Sequence, residues 1–533
     1  MTSPPAARAR DRHEQSIATD PPGATALVVL VAVVAAAYFG LFNHDFSVNG
    51  LRYADAVERG VELFHPNHLL PNALFRCIYV SAQSVGLTGI RAIWLMQAVT
   101  VCFGVVAAAG IARIALWRKD AFAALLAGAL YAFGFAAWNF AEEPDVYVLP
   151  AAAVSLSLAV LLPSATLSWR AVATLALLAI FAVLTLQQYV FWYPALLALV
   201  ARRDLGEARP AKLALLAVGV PLACLAAYLA IGWSQHRLHS LDDAFGWFLG
   251  YAWNGQNGFG TYRAPPELGA RVLGTLLGLG NLVFAYEVVL STVSVVVAIL
   301  ALLLLVLILR RSVIGLRREP APLRQDAAIL IAWSVANVLF ATWWESRNIE
   351  FLFPAWIGVC AVLALAAPAL DRRLLALAVI LVGGVNLAVA FWPQHDWPAR
   401  YRLVEPLARA EHLTPKDALI TEELNTAGYL HYFHGVDVQF LPGAVSAAMQ
   451  AAEPVAQARR AVDAALASGA RVYTTEFDEH GRLREMARWF APLGRAGFDG
   501  AIDRDIETFY RGLDVATQPV PGVRRVQPAM SSH

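Results

Sequence analysis

The stretch AWNFAEEPDVYVLP, residues 137–150, places Glu142, Glu143 and Asp145 within four positions, with long apolar runs on both sides. One carboxylate at a bilayer centre costs about 2.5–3.5 kcal/mol on insertion scales, so three together do not face lipid. They need water, a cavity or partners. A solvated turn is the plain reading, with Pro144 near the first turn of the next helix and acid at that helix's positive end. A functional site is the other.

The surrounding composition decides the setting. Of 533 residues, 58% are apolar and 15% charged, which belongs to a many-span membrane protein. The net charge is +1, and the aromatics sit in apolar runs rather than basic patches, so nucleic acid is not an expected partner. Cys77, Cys102, Cys224 and Cys360 are isolated, which leaves neither a disulfide framework nor a paired-cysteine metal site.

Apolar runs long enough to cross about 30 Å of hydrocarbon occur near 24–43, 91–116, 121–140, 146–163, 169–186, 188–201, 211–232, 286–309, 327–344, 350–368 and 374–392. The expectation is an α-helical polytopic membrane protein with about 11 spans, over residues 24–392. Alternate ends carry the cations: Arg8, Arg10 and Arg12; Arg113, Arg118 and Lys119; Arg170; Arg202, Arg203, Arg209 and Lys212; Arg310, Arg311, Arg317, Arg318 and Arg324; Arg372 and Arg373. Such loops resist translocation, so they are expected in the cytoplasm together with the N-terminal tail, 1–23. The location is then the plasma (inner) membrane, with the opposite loops outside it. Those outer loops, 44–90, 141–145, 233–285, 343–351 and everything after 393, carry most of the chemically versatile side chains.

After 393 the chain becomes more acidic and alternates short β-like with helix-like runs, as in DALITEELNTAGYLHYFHGVDVQFL. Residues 393–515 read as a small extracytoplasmic α/β domain ending in a strand at DIETFYRGL, and 516–533 as an unstructured tail. No GxGxxG or P-loop spacing accompanies the strands.

The loop after the first span, NHDFSVNGLRYADAVERGVELFHPNHLLPNALF, starts with Asp45 close to the membrane and ends in HPNHLL at 65–70. Together with EEPDVYVL at 142–149 and SRNIEFLFPAW at 346–356, it resembles the GT-C membrane glycosyltransferases, which include protein O-mannosyltransferases and lipid A aminoarabinose transferases. In those families an acidic residue follows the first span, a His-Pro or Lys-Pro turn ends the first outer loop, and a second acidic site lies between the third and fourth spans. The resemblance therefore implies roles for Asp45, for His65 and His68, and for Asp145, and puts Arg347 near a lipid phosphate. His68 departs from the Gly frequent in one branch.

Chemistry agrees with that order. Nucleotide sugars are cytosolic, so transfer on the outer face calls for a sugar carried on a polyprenyl phosphate, with a glycan, lipid or protein acceptor. A carboxylate removes the acceptor's proton, and an Arg or a divalent cation offsets charge on the departing phosphate. Asp45 is the first candidate base and Asp145 the second; Glu142 and Glu143 position acceptor or metal, or stay solvated. His44, His65 and His68 are candidate metal ligands, though His-Pro-Asn is equally a turn. Gln187 and Gln188 either meet sugar hydroxyls or cap a hairpin. Trp247, Tyr251, Trp253 and Tyr262 form a stacking platform or an interfacial belt. The rival readings are a secondary transporter, which lacks a visible halves repeat, and a noncatalytic scaffold, which leaves the acids unused.

Overall fold

Uninterrupted runs of Ala, Leu and Val become helices, and short polar side chains mark where several begin. Asp120 accepts from the Ala123 N–H at 2.9 Å, Ser168 from Ala171 at 3.2 Å, Asn348 from Glu350 at 2.9 Å and Asp371 from Arg373 at 2.9 Å. The computed structural model of the chain describes residues 21–118, 120–235, 237–253, 265–285, 291–396, 399–414, 416–421, 424–440, 454–474, 515–520 and 523–526. These form two compact units. The first comprises Met1–Phe42, Ala56–Asn254 and Thr275–Trp392, and the second Asn43–Asp55, Gly255–Gly274 and Pro393–His533.

In the first unit, helices run over α1 (Pro21–Gly40), α2 (Val48–Arg59, which begins in the second unit), α3 (Pro71–Ser84), α4 (Ala92–Trp117), α5 (Ala121–Phe133), α6 (Phe135–Glu142), α7 (Val148–Leu161), α8 (Trp169–Thr185) and α9 (Trp192–Ala201). They continue with α10 (Arg209–Ser234), α11 (Leu241–Trp253), α12 (Pro265–Val283, which also begins in the second unit), α13 (Thr292–Arg317), α14 (Ala321–Trp344), α15 (Ile349–Leu365) and α16 (Arg372–Asn386). Among the described residues, six helices are long and apolar enough to span a membrane, and α5 with α6 makes a seventh if that bent pair is one span. The chain is an integral membrane protein. Helix α4 is more than half buried, whereas α13 exposes Val293, Val296, Leu300, Leu303 and Val306 along its length, as a helix against lipid does.

Three expectations change. The run at 188–201 is not a span: a 3-10 turn at Gln187–Phe191 leads into the ten residues of α9, about 15 Å of rise. The segment 233–285 is not only a loop, because its Gly-rich end forms the apolar helix α12. The run at 121–140 bends by 66° between α5 and α6.

At that bend Gly134 adopts an extended ψ of 139°, so the last carbonyls of α5 lose their helical donors. Each finds another. The Leu130 carbonyl keeps the Gly134 N–H at 3.2 Å, Tyr131 receives the Trp356 indole N–H at 3.3 Å, Ala132 the Tyr38 hydroxyl at 2.7 Å, and Phe133 the Asn386 amide at 2.9 Å. A Cβ on Gly134 would stand 3.0 Å from the Trp356 ring, so glycine lets that indole reach the break. The bend is thus held by side chains of α1, α15 and α16.

Several cations that set the expected orientation also tie helix ends together. Arg203 donates to the Leu161 carbonyl at 3.1 Å, Arg118 to Leu365 at 3.2 Å, and Lys212 to Leu167 and Leu205 at 2.6 and 2.9 Å. Arg203 and Arg202 converge on Asp326, with N···O distances of 2.8 and 3.1 Å, and Asp326 is 3% exposed.

The second unit holds a five-stranded sheet ordered β2-β1-β3-β5-β4, from β1 (Ala418–Thr421), β2 (Asp437–Phe440), β3 (Val472–Thr474), β4 (Val515–Val520) and β5 (Val523–Val526). β1 pairs parallel with β2 and β3, across crossovers that include α18 (Leu424–His434) and α19 (Pro454–Ala467); α17 (Ala399–Ala410) precedes the sheet. β5 is antiparallel to β3 and β4. β5 and all but the first residue of β4 fall in the stretch expected to be unstructured, where Val515 pairs with Val526 and Val520 with Val523. The expected strand at 505–513 lies outside the described residues, as does most of the 1–23 tail. The first loop joins this unit: Tyr401 donates to the Phe46 carbonyl at 3.2 Å, Asn425 accepts from the Val48 N–H at 3.0 Å, and Phe46 lies against Phe433.

Candidate functional site

HPNHLL folds as a tight turn in which the His68 N–H donates to the His65 carbonyl at 3.1 Å and the two imidazoles stack at 4.4 Å. Its backbone is pinned from outside. Gln187 N–H donates to Asn67 O at 2.8 Å, Leu70 N–H to Leu184 O at 2.9 Å, and the Tyr228 hydroxyl to Pro66 O at 2.8 Å. The turn is therefore fixed to the end of α8.

One residue further, Gln188 is buried and donates to the Phe351 carbonyl at 2.7 Å and to Asn337 Oδ1 at 3.3 Å. That fastens the same region to the first turn of α15. Gln188 Oε1 is buried with no hydrogen-bond partner among the described residues, so its acceptor capacity remains for a ligand. Gln187 reaches the Phe248 carbonyl at 3.1 Å, which is a structural tie.

From α15 the contacts lead to the acidic turn. Glu350 Oε2 accepts from the Tyr147 hydroxyl at 2.5 Å and from Asn348 Nδ2 at 3.0 Å. Arg347, half-buried, lies in the turn between α14 and α15, whose backbone packs against α12. The HPNHLL turn, Gln187 and Gln188, the first turn of α15, and Tyr147 beside the acidic turn are thus linked by hydrogen bonds between neighbouring segments of one unit. The bond of Glu350 to Tyr147 spans 203 residues and leaves no local signal in the sequence.

The solvated reading of the acidic turn is overturned: Glu142, Glu143 and Asp145 are 0%, 5% and 3% exposed. Glu142 Oε1 accepts from the Trp138 indole at 2.5 Å, its carbonyl accepts from Gln97 at 2.8 Å, and Oε2 has no hydrogen-bond partner among the described residues. Asp145 Oδ1 accepts from the Val146 N–H at 2.6 Å. Burial pushes the Asp145 carboxyl well above its ordinary value; the charges of Glu350 and Glu143 add to this, against the Val146 bond. Asp145 is a carboxylate with a raised proton affinity beside other acids.

Asp45 belongs to the second unit. It is half-buried, its N–H donates to Asn43 Oδ1 at 2.6 Å, and its Oδ1 is buried. Next to it, His44 Nδ1–H donates to the His395 carbonyl at 2.7 Å and the two rings stack at 5.4 Å. Burial lowers the His44 pKa, favouring a neutral imidazole. His44 belongs to the second unit and the stacked pair His65 and His68 to the first, and among the described residues no three His, Cys, Asp or Glu side chains are grouped to hold a metal ion. Trp247 packs edge-on against Tyr228 at 5.8 Å. Tyr262 lies outside the described residues, as do the side chains of Tyr251 and Trp253.

Comparison with solved structures gives the fold class: the chain has a fold like that of the GT-C glycosyltransferases. It matches ArnT from Cupriavidus metallidurans bound to undecaprenyl phosphate with a TM-score of 0.54 and 14% identity, covering 94% of this chain and 96% of that one. The apo state of the same protein matches with a TM-score of 0.55 and 14% identity, covering 94% and 97%. No family model matches the chain, and no curated protein matches it by sequence.

Proposed function

We propose that the protein is a membrane glycosyltransferase that moves a sugar from a polyprenyl-phosphate donor to an acceptor hydroxyl on the extracytoplasmic face. The observation that carries this reading is the buried acidic turn of a GT-C-like membrane unit, tied by the Tyr147–Glu350 bond to the first turn of α15, which Gln188 also meets at the Phe351 carbonyl. A polyprenyl-phosphate donor is supported by the ArnT of like fold, whose structure holds undecaprenyl phosphate.

In the reaction, the acceptor oxygen bonds to the anomeric carbon as the bond from that carbon to the phosphate oxygen breaks. The acceptor's proton passes to a carboxylate, for which Asp45 and Asp145 are the candidates. The polyprenyl phosphate leaves with the electron pair, and the Arg347 guanidinium offsets its charge by a bidentate contact. Gln188 Oε1, with Glu142 and Glu143, provides buried acceptors for hydroxyls, while His65 and His68 shape the adjoining turn.

Arg347→Ala is expected to weaken binding of a polyprenyl-phosphate sugar about tenfold or more, and Arg347→Lys to recover only part, since an ammonium keeps the charge but loses the fork. Unchanged affinity in both variants, measured with purified protein, removes Arg347 from the donor site.

The proposed reaction requires one topology, with the Arg-rich ends in the cytoplasm and residues after 393 outside. Reporter fusions at Arg318 and Gly435 are expected to report opposite compartments. The same compartment for both would defeat the extracytoplasmic reaction.

A further inference from the structure

At the end of α13 the structure has a cavity of about 390 Å³ that the transfer reaction does not use. Arg311, Ile314, Gly315 and Arg318 form one wall, at the 3- and 4-residue spacing that lines up side chains on a helix face. Pro368 and Ala369, from the 3-10 turn Ala367–Ala369, form the other. The walls approach closely at the base, where a Cβ on Gly315 would meet the Ala369 Cβ at 2.4 Å.

The charges around it are unevenly matched. Glu319, also on the rim, is bound by Arg118 at 2.6 Å. Asp371 stands 3.9 Å from Arg311, with both side chains 46% exposed, and its carboxylate already caps α16 through the N–H groups of Arg373 and Leu374. Arg318 makes no ion pair among the described residues. Two guanidinium groups thus border a pocket whose base is apolar. Arg311 stands two residues after Leu309, the end of the apolar run, so it lies at the level of lipid headgroups.

We propose that this cavity binds the phosphate of an anionic membrane lipid, with Arg311 and Arg318 holding the phosphate oxygens and Ile314 and Pro368 receiving the glycerol and the start of an acyl chain. Guanidinium forks suit a phosphate, and basic pockets between spans at a membrane surface suit anionic headgroups. A free phosphate shares the charge but makes no use of the apolar wall.

The test is native mass spectrometry of the full-length protein in detergent, titrated with phosphatidylglycerol, phosphatidylcholine or inorganic phosphate. The unaltered protein is expected to take up phosphatidylglycerol in preference to phosphatidylcholine, and Arg318→Gln to bind it about tenfold more weakly. Arg324→Gln removes a charge outside the cavity and is expected to bind as the unaltered protein does. An equal loss in both variants would mean bulk attraction and overturn the site. So would equal uptake of the two lipids, or displacement of phosphatidylglycerol by millimolar inorganic phosphate. Circular dichroism of both variants guards against misfolding, and Arg318→Lys, which keeps the charge, is expected to recover part of the affinity.

Discussion

Asp45→Asn is expected to lower sugar transfer about 10²- to 10⁴-fold, the usual effect of losing general-base assistance, with insertion and folding intact. Asp145→Asn is expected to impair transfer as well, and Glu142→Gln less, because Glu142 keeps its Trp138 bond only through one oxygen. The pH dependence of turnover separates the two aspartates. A base works unprotonated, so activity falls as pH drops through its pKa. Burial and the neighbouring acids raise the Asp145 value. If Asp145 takes the proton, the acid limb therefore lies above the ordinary carboxylate range and vanishes in Asp145→Asn. A limb that persists in Asp145→Asn and vanishes in Asp45→Asn assigns the proton to Asp45. Normal glycan transfer by both variants would end the carboxylate-base mechanism.

Asp326→Ala is expected to destabilise the membrane unit by about 3–5 kcal/mol, the cost of breaking a buried ion pair from one side. Arg203 is 8% exposed and 2.8 Å from Asp326, so truncation strands a guanidinium that has little access to water. Replacing the pair together, as Asp326→Leu with Arg203→Met, is expected to recover much of the loss, since apolar substitutes of similar volume often equal a buried pair. Thermal unfolding of the purified variants in detergent measures both. An Asp326→Ala midpoint equal to that of the unaltered protein would show the pair to be solvated.

Membrane character, most helix positions and the polar clusters between apolar runs are legible in the sequence because hydropathy and charge are local properties. HPNHLL, Gln188, Arg347 and the acidic turn stand out for the same reason. Burial of that turn does not, since it depends on packing from other helices. The Tyr147–Glu350 bond is hidden by its 203-residue separation. Helix α12 is obscured by Pro265, Pro266 and its glycines, which dilute a hydropathy average without preventing a helix from packing. The first loop reads as part of the membrane unit by its position, yet Phe46 and Val48 bond to residues beyond 400.

The bend at Gly134 bears on the order in which the chain is assembled. A straight helix through 121–142 satisfies its own carbonyls, whereas the bent one depends on Tyr38, Trp356 and Asn386. Tyr38 precedes the bend on the ribosome, but Trp356 and Asn386 follow their carbonyls by 225 and 253 residues. Until those residues emerge, bending would leave two carbonyls bare in hydrocarbon, at several kcal/mol each. The nascent segment therefore enters the bilayer straight and folds over only after the last two apolar helices arrive, so the acidic turn reaches its buried position late in biogenesis.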